Sequence, residues 1–131
     1  DAWFLNTGSP HHVAQVASVE KVNVFSAGRE MRNAYGTEGA NVNFVEVDAD
    51  GISVRTYERG VEDETLSCGT GVTAVALASF HLDKTSEKEI NIETQGGKLK
   101  IEFEKVNNTY KNIILTGPAT FVFEGIIEMS I

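Results

Sequence analysis

The chain is nearly devoid of cysteine: Cys68 is the only one in 131 residues. No internal disulfide can form, which points to a reducing, cytoplasmic setting. Basic charge is scarce as well. Eleven Lys and Arg stand against nineteen Asp and Glu, for a net charge of -8. That balance argues against non-specific nucleic-acid binding, which needs a basic surface. It gives no support to binding at anionic membranes either, and no apolar run approaches the ~20 residues of a membrane span. Only two prolines occur, and neither lies in a linker-like tract. Repeats and low-complexity stretches are missing too, so residues 1–131 read as a single domain. One cysteine and three scattered histidines lack the spacing of a zinc cage. Gly69-Thr70-Gly71 is not followed by Lys-Ser or Lys-Thr, so it is not a Walker phosphate loop. Neither a metal nor a cofactor is expected.

Strand signals dominate what is present. Lys98 to Glu104 alternates apolar and charged residues, as a half-buried strand does. Asn41 to Val47 and Ile52 to Tyr57 flank the turn Asp48-Ala49-Asp50-Gly51, a hairpin pattern. Trp3-Phe4-Leu5, Ile90 to Ile92, Ile113 to Leu115, Thr120 to Phe123 and Ile126 to Met129 add further strands. Of these, Ile113 to Leu115 and Thr120 to Phe123 read as the more buried. The chain opens at Asp1 directly into a strand-like run, which suggests the cut end of a longer protein.

Two helices are predicted. Ala27 to Tyr35 starts from Ser26 and stops at Gly36, with charged residues that put it on the surface. The stretch Gly71 to Leu82 differs, because Val72, Ala74, Val75, Ala76, Leu77, Ala78, Phe80 and Leu82 leave no polar stripe. A helix apolar all round must be enclosed. With so many strands at hand, the economical fold is α+β: a mixed, barrel-like β-sheet wrapped around one central apolar helix.

Cys68 lies at the mouth of that helix, in Leu66-Ser67-Cys68-Gly69-Thr70-Gly71. The first turn of a helix leaves N–H groups unpaired and carries partial positive charge. Such a place favours the thiolate, the reactive form. The same N–H groups can hold a carboxylate beside the sulfur, and glycines let a ligand come close. A cysteine base beside an anion clamp suits proton abstraction next to a carboxylate, where charge must build without an electron sink. The remaining residues have plainer readings on pattern alone. Asn41 and Asn43 alternate with Val42 and Phe44 and read as the outward face of a strand. His12 reads as a surface histidine, His81 as a satisfied core histidine, and Glu62-Asp63-Glu64 as a solvated loop.

Five ordered motifs carry a resemblance. Thr7-Gly8-Ser9-Pro10-His11, Asn41-Val42-Asn43-Phe44, Tyr57-Glu58-Arg59-Gly60, Cys68-Gly69-Thr70-Gly71 and Leu115-Thr116-Gly117-Pro118-Ala119 resemble the C-terminal half of the diaminopimelate epimerase family. The resemblance implies an isomerase without a cofactor, converting LL-diaminopimelate to the meso form in lysine and peptidoglycan precursor synthesis. One cysteine thiolate removes the α-proton and a second cysteine, from the other half, protonates the opposite face. Cys68 would be one of that pair. The resemblance further implies that His11 and Glu58 tune the cysteines. It also implies that Asn41, Glu58, Arg59, Gly69 and Thr70 contact the substrate. Ser9 stands where the family usually has asparagine, so that contact is not carried over. The implied partners are the amino-acid substrate, the N-terminal half of the same protein and, for the full-length protein, a second copy in a homodimer. The 131-residue chain alone is expected to fold and to be inactive. The alternatives are a cysteine hydrolase or acyltransferase with His11 as base, a non-catalytic amino-acid-binding module, and a racemase of the same fold with another substrate.

Overall fold

A computed structural model describes residues 1–131. The strands are β1 (Ala2–Asn6), β2 (Pro10–Gln15), β3 (Asn41–Asp48), β4 (Gly51–Glu58), β5 (Asp63–Thr65), β6 (Glu89–Thr94), β7 (Gly97–Val106) and β8 (Thr109–Thr116). The helices are α1 (Val24–Ala34) and α2 (Gly69–His81), with a 3₁₀ turn at Val19–Lys21. All eight strands form one sheet, in the order β1-β2-β3-β4-β6-β7-β8, with β5 attached to β4. The pairs β2–β3 and β4–β6 are parallel and the others antiparallel, so the sheet is mixed.

The sheet curls around α2, which touches β1, β2, β3, β4, β6 and β7. Gly71 to Ser79 are all buried. Val72, Val75 and Leu77 meet Val13, Val45, Val54, Ile92 and Ile101 in the inner core. Each large apolar side chain there contributes roughly 1.5–3 kcal/mol. The enclosed helix and the barrel-like sheet follow directly from the missing polar stripe. Neither helix is long and apolar enough to cross a membrane.

The outer face of β2, β3 and β4 carries a second core. Ala14, Val42, Phe44 and Tyr57 pack there with Val24 of α1. Alternation assigns the two faces: Val42 and Phe44 point to α1, while Val45 and the residues in step with it point to α2. At Gly28 a Cβ would overlap the Tyr57 ring base, so α1 approaches the sheet through a bare backbone.

Several local expectations are corrected. Helix α1 begins at Val24, capped by Asn23, whose Oδ1 accepts from the Ser26 N–H at 3.2 Å. Asparagine is as good a cap as serine and stands earlier in the chain. The acids of 62–64 are not merely solvated. Glu64 takes two hydrogen bonds from Arg55, at 2.6 and 2.7 Å, and β5 pairs with β4. Glu62 accepts from Arg32, Tyr57 and Gly60, and the Gly60 N–H leads in holding its carboxyl below the usual range. His81 is exposed and meets Trp3 edge-on, with ring centres 5.2 Å apart. It sits at the last position of α2, where the helix emerges from the sheet. Ile113, Ile114 and Leu115 lie in a strand, but an exposed one, because β8 is the edge of the sheet. Residues 117–131 form no strand, and Phe121, Phe123 and Ile126 lie open, the last at 98% exposure. Their pattern suits a strand, yet within this chain they have no neighbour to pair with.

Candidate active site

The inner faces of β2, β3 and β4 are apolar in the middle of the barrel and polar at one end. At that end lie His11 on β2, Asn41 and Asn43 on β3, and Thr56 on β4. The register explains the cluster: His11 is level with Asn41 across the parallel pair, and Asn43 with Thr56 across the antiparallel one. The start of α2 rises into the same end.

Cys68 is the N-cap of α2, in an extended conformation with φ -136° and ψ 110°. Its carbonyl accepts from the Val72 N–H at 2.9 Å, but its side chain makes no capping bond. The N–H groups of Gly69, Thr70 and Gly71 therefore have no partner within the helix. They face the mouth with the positive end of the helix dipole. Gly71 allows this close approach, since a Cβ there would lie 2.6 Å from Asn43 Oδ1. Cys68 is half-buried, and its Sγ lies 3.7 Å from Thr70 Oγ1.

A network of polar side chains backs the thiol. Thr70 Oγ1 is 2.8 Å from His11 Nε2 and 3.1 Å from Ser9 Oγ, and Ser9 Oγ is 3.0 Å from His11 Nε2. Asn41 Nδ2 donates to Ser9 Oγ at 3.1 Å, and Asn41 Oδ1 accepts from the Arg59 N–H at 2.7 Å. Behind His11, Asn43 Nδ2 lies 3.1 Å from His11 Nδ1 and donates to the His12 carbonyl at 3.1 Å. Thr56 Oγ1 donates to Asn43 Oδ1 at 2.9 Å. His11 is wholly buried, and burial, helped by the positive charge of Arg59, lowers its pKa to about 4. At neutral pH it is an uncharged imidazole.

The structure thus brings Cys68, Thr70, Gly69, His11 and Asn41 together. Glu58 and Arg59 stand at the rim. The Glu58 carboxylate accepts from Thr65 Oγ1 at 2.9 Å, and the Arg59 guanidinium donates to the Glu38 carbonyl at 2.8 Å. Neither side chain joins the His11–Thr70 network. Asn41 and Asn43 are not outward-facing: they are 4% and 0% exposed. The outer face of β3 is covered by α1, so its apolar residues belong outside the barrel and its asparagines inside. His12 is half-buried on that outer side, where its Nδ1 lies 2.6 Å from the Tyr35 hydroxyl. Ser9, Asn43 and Thr56 escaped the sequence-based assignment of site residues. Ser9 and Asn43 lie within two of the motifs quoted above, but the register that sets Asn43 level with Thr56 is not visible in one sequence.

Chemically, the arrangement offers one thiol, three aligned N–H donors and a neutral polar backing. Diaminopimelate epimerase is the description of the family model that matches residues 3–122. The chain belongs to the diaminopimelate epimerase family. A family member from Flavobacterium psychrophilum is 51% identical over 92% of this chain and 48% of its own length. One from Aquifex aeolicus is 48% identical over 93% of this chain and 44% of its own length. The chain therefore spans about half the length of the curated relatives it matches. Among solved structures, a hydroxyproline epimerase from Agrobacterium vitis superposes with a TM-score of 0.62. It shares 16% identity over 84% of this chain and 38% of that one. A phenazine biosynthesis PhzF-family protein from Enterococcus faecalis gives a TM-score of 0.59 at 18% identity, over 79% of this chain and 36% of that one. At such identities the likeness establishes the fold, an epimerase-type α+β barrel.

Proposed function

We propose that this chain is the C-terminal half of a cofactor-independent diaminopimelate epimerase and supplies one of two facing acid/base cysteines. The observation that carries the reading is Cys68 at the uncapped start of α2, with the N–H groups of Gly69, Thr70 and Gly71 beside it. The α-carboxylate of the substrate binds those N–H groups. Cys68 exchanges the α-proton on one face, and the charge that develops on the carboxylate is met by donors already aimed at it. Asn41, Glu58 and Arg59 hold the rest of the amino acid, with Arg59 toward a carboxylate. His11 and Glu58 adjust the cysteine pair. The product is the meso isomer used for lysine and peptidoglycan precursors, in the cytoplasm.

The second cysteine comes from the N-terminal half, and the full-length protein is a homodimer. Two facts support the missing partner: the chain spans about half of its relatives, and residues 117–131 leave apolar side chains uncovered. Alone, the chain does not racemise diaminopimelate, because it has one cysteine and an open mouth. The hydrolase alternative is disfavoured by geometry. His11 contacts Thr70 rather than Cys68, and its low pKa suits a poor base.

The test is the rate of Cys68 alkylation against pH, with and without diaminopimelate. Reaction as a favoured thiolate, with protection by the ligand, supports a preformed half-site. Ordinary thiol behaviour without protection makes Cys68 structural, or places the site only in the complex of both halves. A covalent acyl adduct on Cys68 would favour the hydrolase.

A further inference from the structure

Asn43 fixes the direction of the hydrogen bonds at His11 behind Cys68. Its amide orientation is fixed because the His12 carbonyl can only accept, so the atom 3.1 Å away must be the NH₂ group. Its oxygen correspondingly accepts from Thr56 Oγ1 at 2.9 Å. The same NH₂ group lies 3.1 Å from His11 Nδ1, which must then be the bare, accepting nitrogen. His11 carries its proton on Nε2 and donates it toward Thr70 Oγ1 at 2.8 Å. Ser9 Oγ already accepts from Asn41. With His11 Nε2 protonated and Asn41 Nδ2 donating, Thr70 Oγ1 at 3.1 Å is the one acceptor within the network for the Ser9 hydrogen. In that arrangement Thr70 accepts twice, and its own hydrogen is free to point at Cys68 Sγ at 3.7 Å.

We propose that Asn43 is a positioning residue: it locks His11 in the Nε2–H tautomer, so that the Thr70 hydroxyl donates to Cys68 Sγ. Sulfur then receives a hydrogen bond rather than giving one, which suits a group that must take a proton. The value of this direction to catalysis rests on the epimerase reading above, but the tautomer itself does not. Burial and the charge of Arg59 keep His11 neutral, so a single ring proton has to be placed, and the Asn43 NH₂ group beside Nδ1 places it on Nε2.

The experiment is ¹⁵N NMR of histidine-labelled protein. In the wild-type chain, His11 is expected to show a protonated Nε2 and an unprotonated Nδ1 throughout the neutral range. Asn43→Asp replaces the donor with an acceptor and is expected to invert the pair, giving Nδ1–H. Thr70→Val is expected to slow Cys68 alkylation at neutral pH about fivefold, the worth of one ordinary hydrogen bond, with Thr70→Ser restoring it. A wild-type Nδ1–H tautomer, or a doubly protonated His11 at pH 7, overturns the proposal even if Asn43→Asp fails to fold. So does equal alkylation in Thr70→Val and wild type. Ligand protection with a reversed tautomer would leave the epimerase reading standing and remove only this one. An Nε2–H tautomer in a full-length enzyme that keeps full epimerase activity as Cys68→Ala would do the opposite.

Discussion

The two helices begin in opposite ways. Helix α1 starts at Asn23, whose side chain closes on the Ser26 N–H at 3.2 Å, and the first turn is sealed. Helix α2 starts at Cys68, whose side chain caps none of the first-turn N–H groups. The sealed end lies on the surface and serves stability. The open end lies at the mouth of the barrel, backed by Ser9, His11 and Asn43, and leaves three N–H groups without a partner in the helix. A cap contributes typically about 1 kcal/mol. Its absence from the most buried helix of the chain is what the proposed binding of a carboxylate at that end requires.

The largest expected effect comes from removing the group at the open end. In the full-length enzyme, Cys68→Ala should lower kcat by roughly 10² to 10⁴, the usual range for a general acid or base. Steady-state epimerisation, or exchange of the α-hydrogen with deuterated water, reads it directly. Full activity in that variant would mean that the open helix end is only a packing feature. The fold should survive the change, because the core around α2 is built from Val72 onward.

The next test fills the space that keeps this end open. Gly71→Ala places a Cβ 2.6 Å from Asn43 Oδ1 and 3.3 Å from His11 Cε1. Both neighbours are held in a hydrogen-bonded network and cannot retreat cheaply. Overpacking of this kind costs typically 1–3 kcal/mol. Urea unfolding should show that loss, and His11 should lose its tautomer preference. Unchanged stability would show that the start of α2 can shift away from the sheet.

How much of this contrast was legible from the sequence depends on which neighbours a residue acquires. The enclosed α2 was readable, since a helix without a polar stripe has one solution. Cys68 and its glycines were readable for the same reason: a helix start is a local event. Asn43 was misplaced because alternation gives two faces without saying which is inner. A polar residue normally faces water, but here the outer face of β3 is covered by α1 and the inner face opens onto the mouth. Asn23 and Ser26 are both good caps one turn apart, and the sequence alone does not separate them. Thr120 to Phe123 and Ile126 to Met129 have the apolar pattern of strands, yet a strand needs a partner edge and this chain supplies none for them.

Acid sharpens the difference between the two ends. His11 has a pKa of about 4 in the folded chain, below the value of 6.5 ordinary for histidine. Between those values the unfolded chain binds the proton and the folded one does not. Stability contributed by neutral His11 is therefore complete above about pH 6.5 and falls as pH drops toward 4. His12 shifts in the same direction through burial, so the comparison should be made in His12→Gln. If His11→Gln in that background leaves the slope of stability against pH unchanged over this window, His11 is not the group responsible.

The smallest effect should come from unsealing the other helix. Asn23→Ala removes the acceptor for the Ser26 N–H and should cost about 1 kcal/mol in chemical denaturation. Asn23→Ser should recover most of it, because serine caps nearly as well. Neither variant should alter Cys68 alkylation, since α1 packs on the outer face of the sheet and Cys68 stands at the inner one. A change in alkylation would mean that the two cores on either side of β3 move together. The two helix ends would then be coupled through Val42, Phe44 and the asparagines between them, rather than serving stability and binding separately.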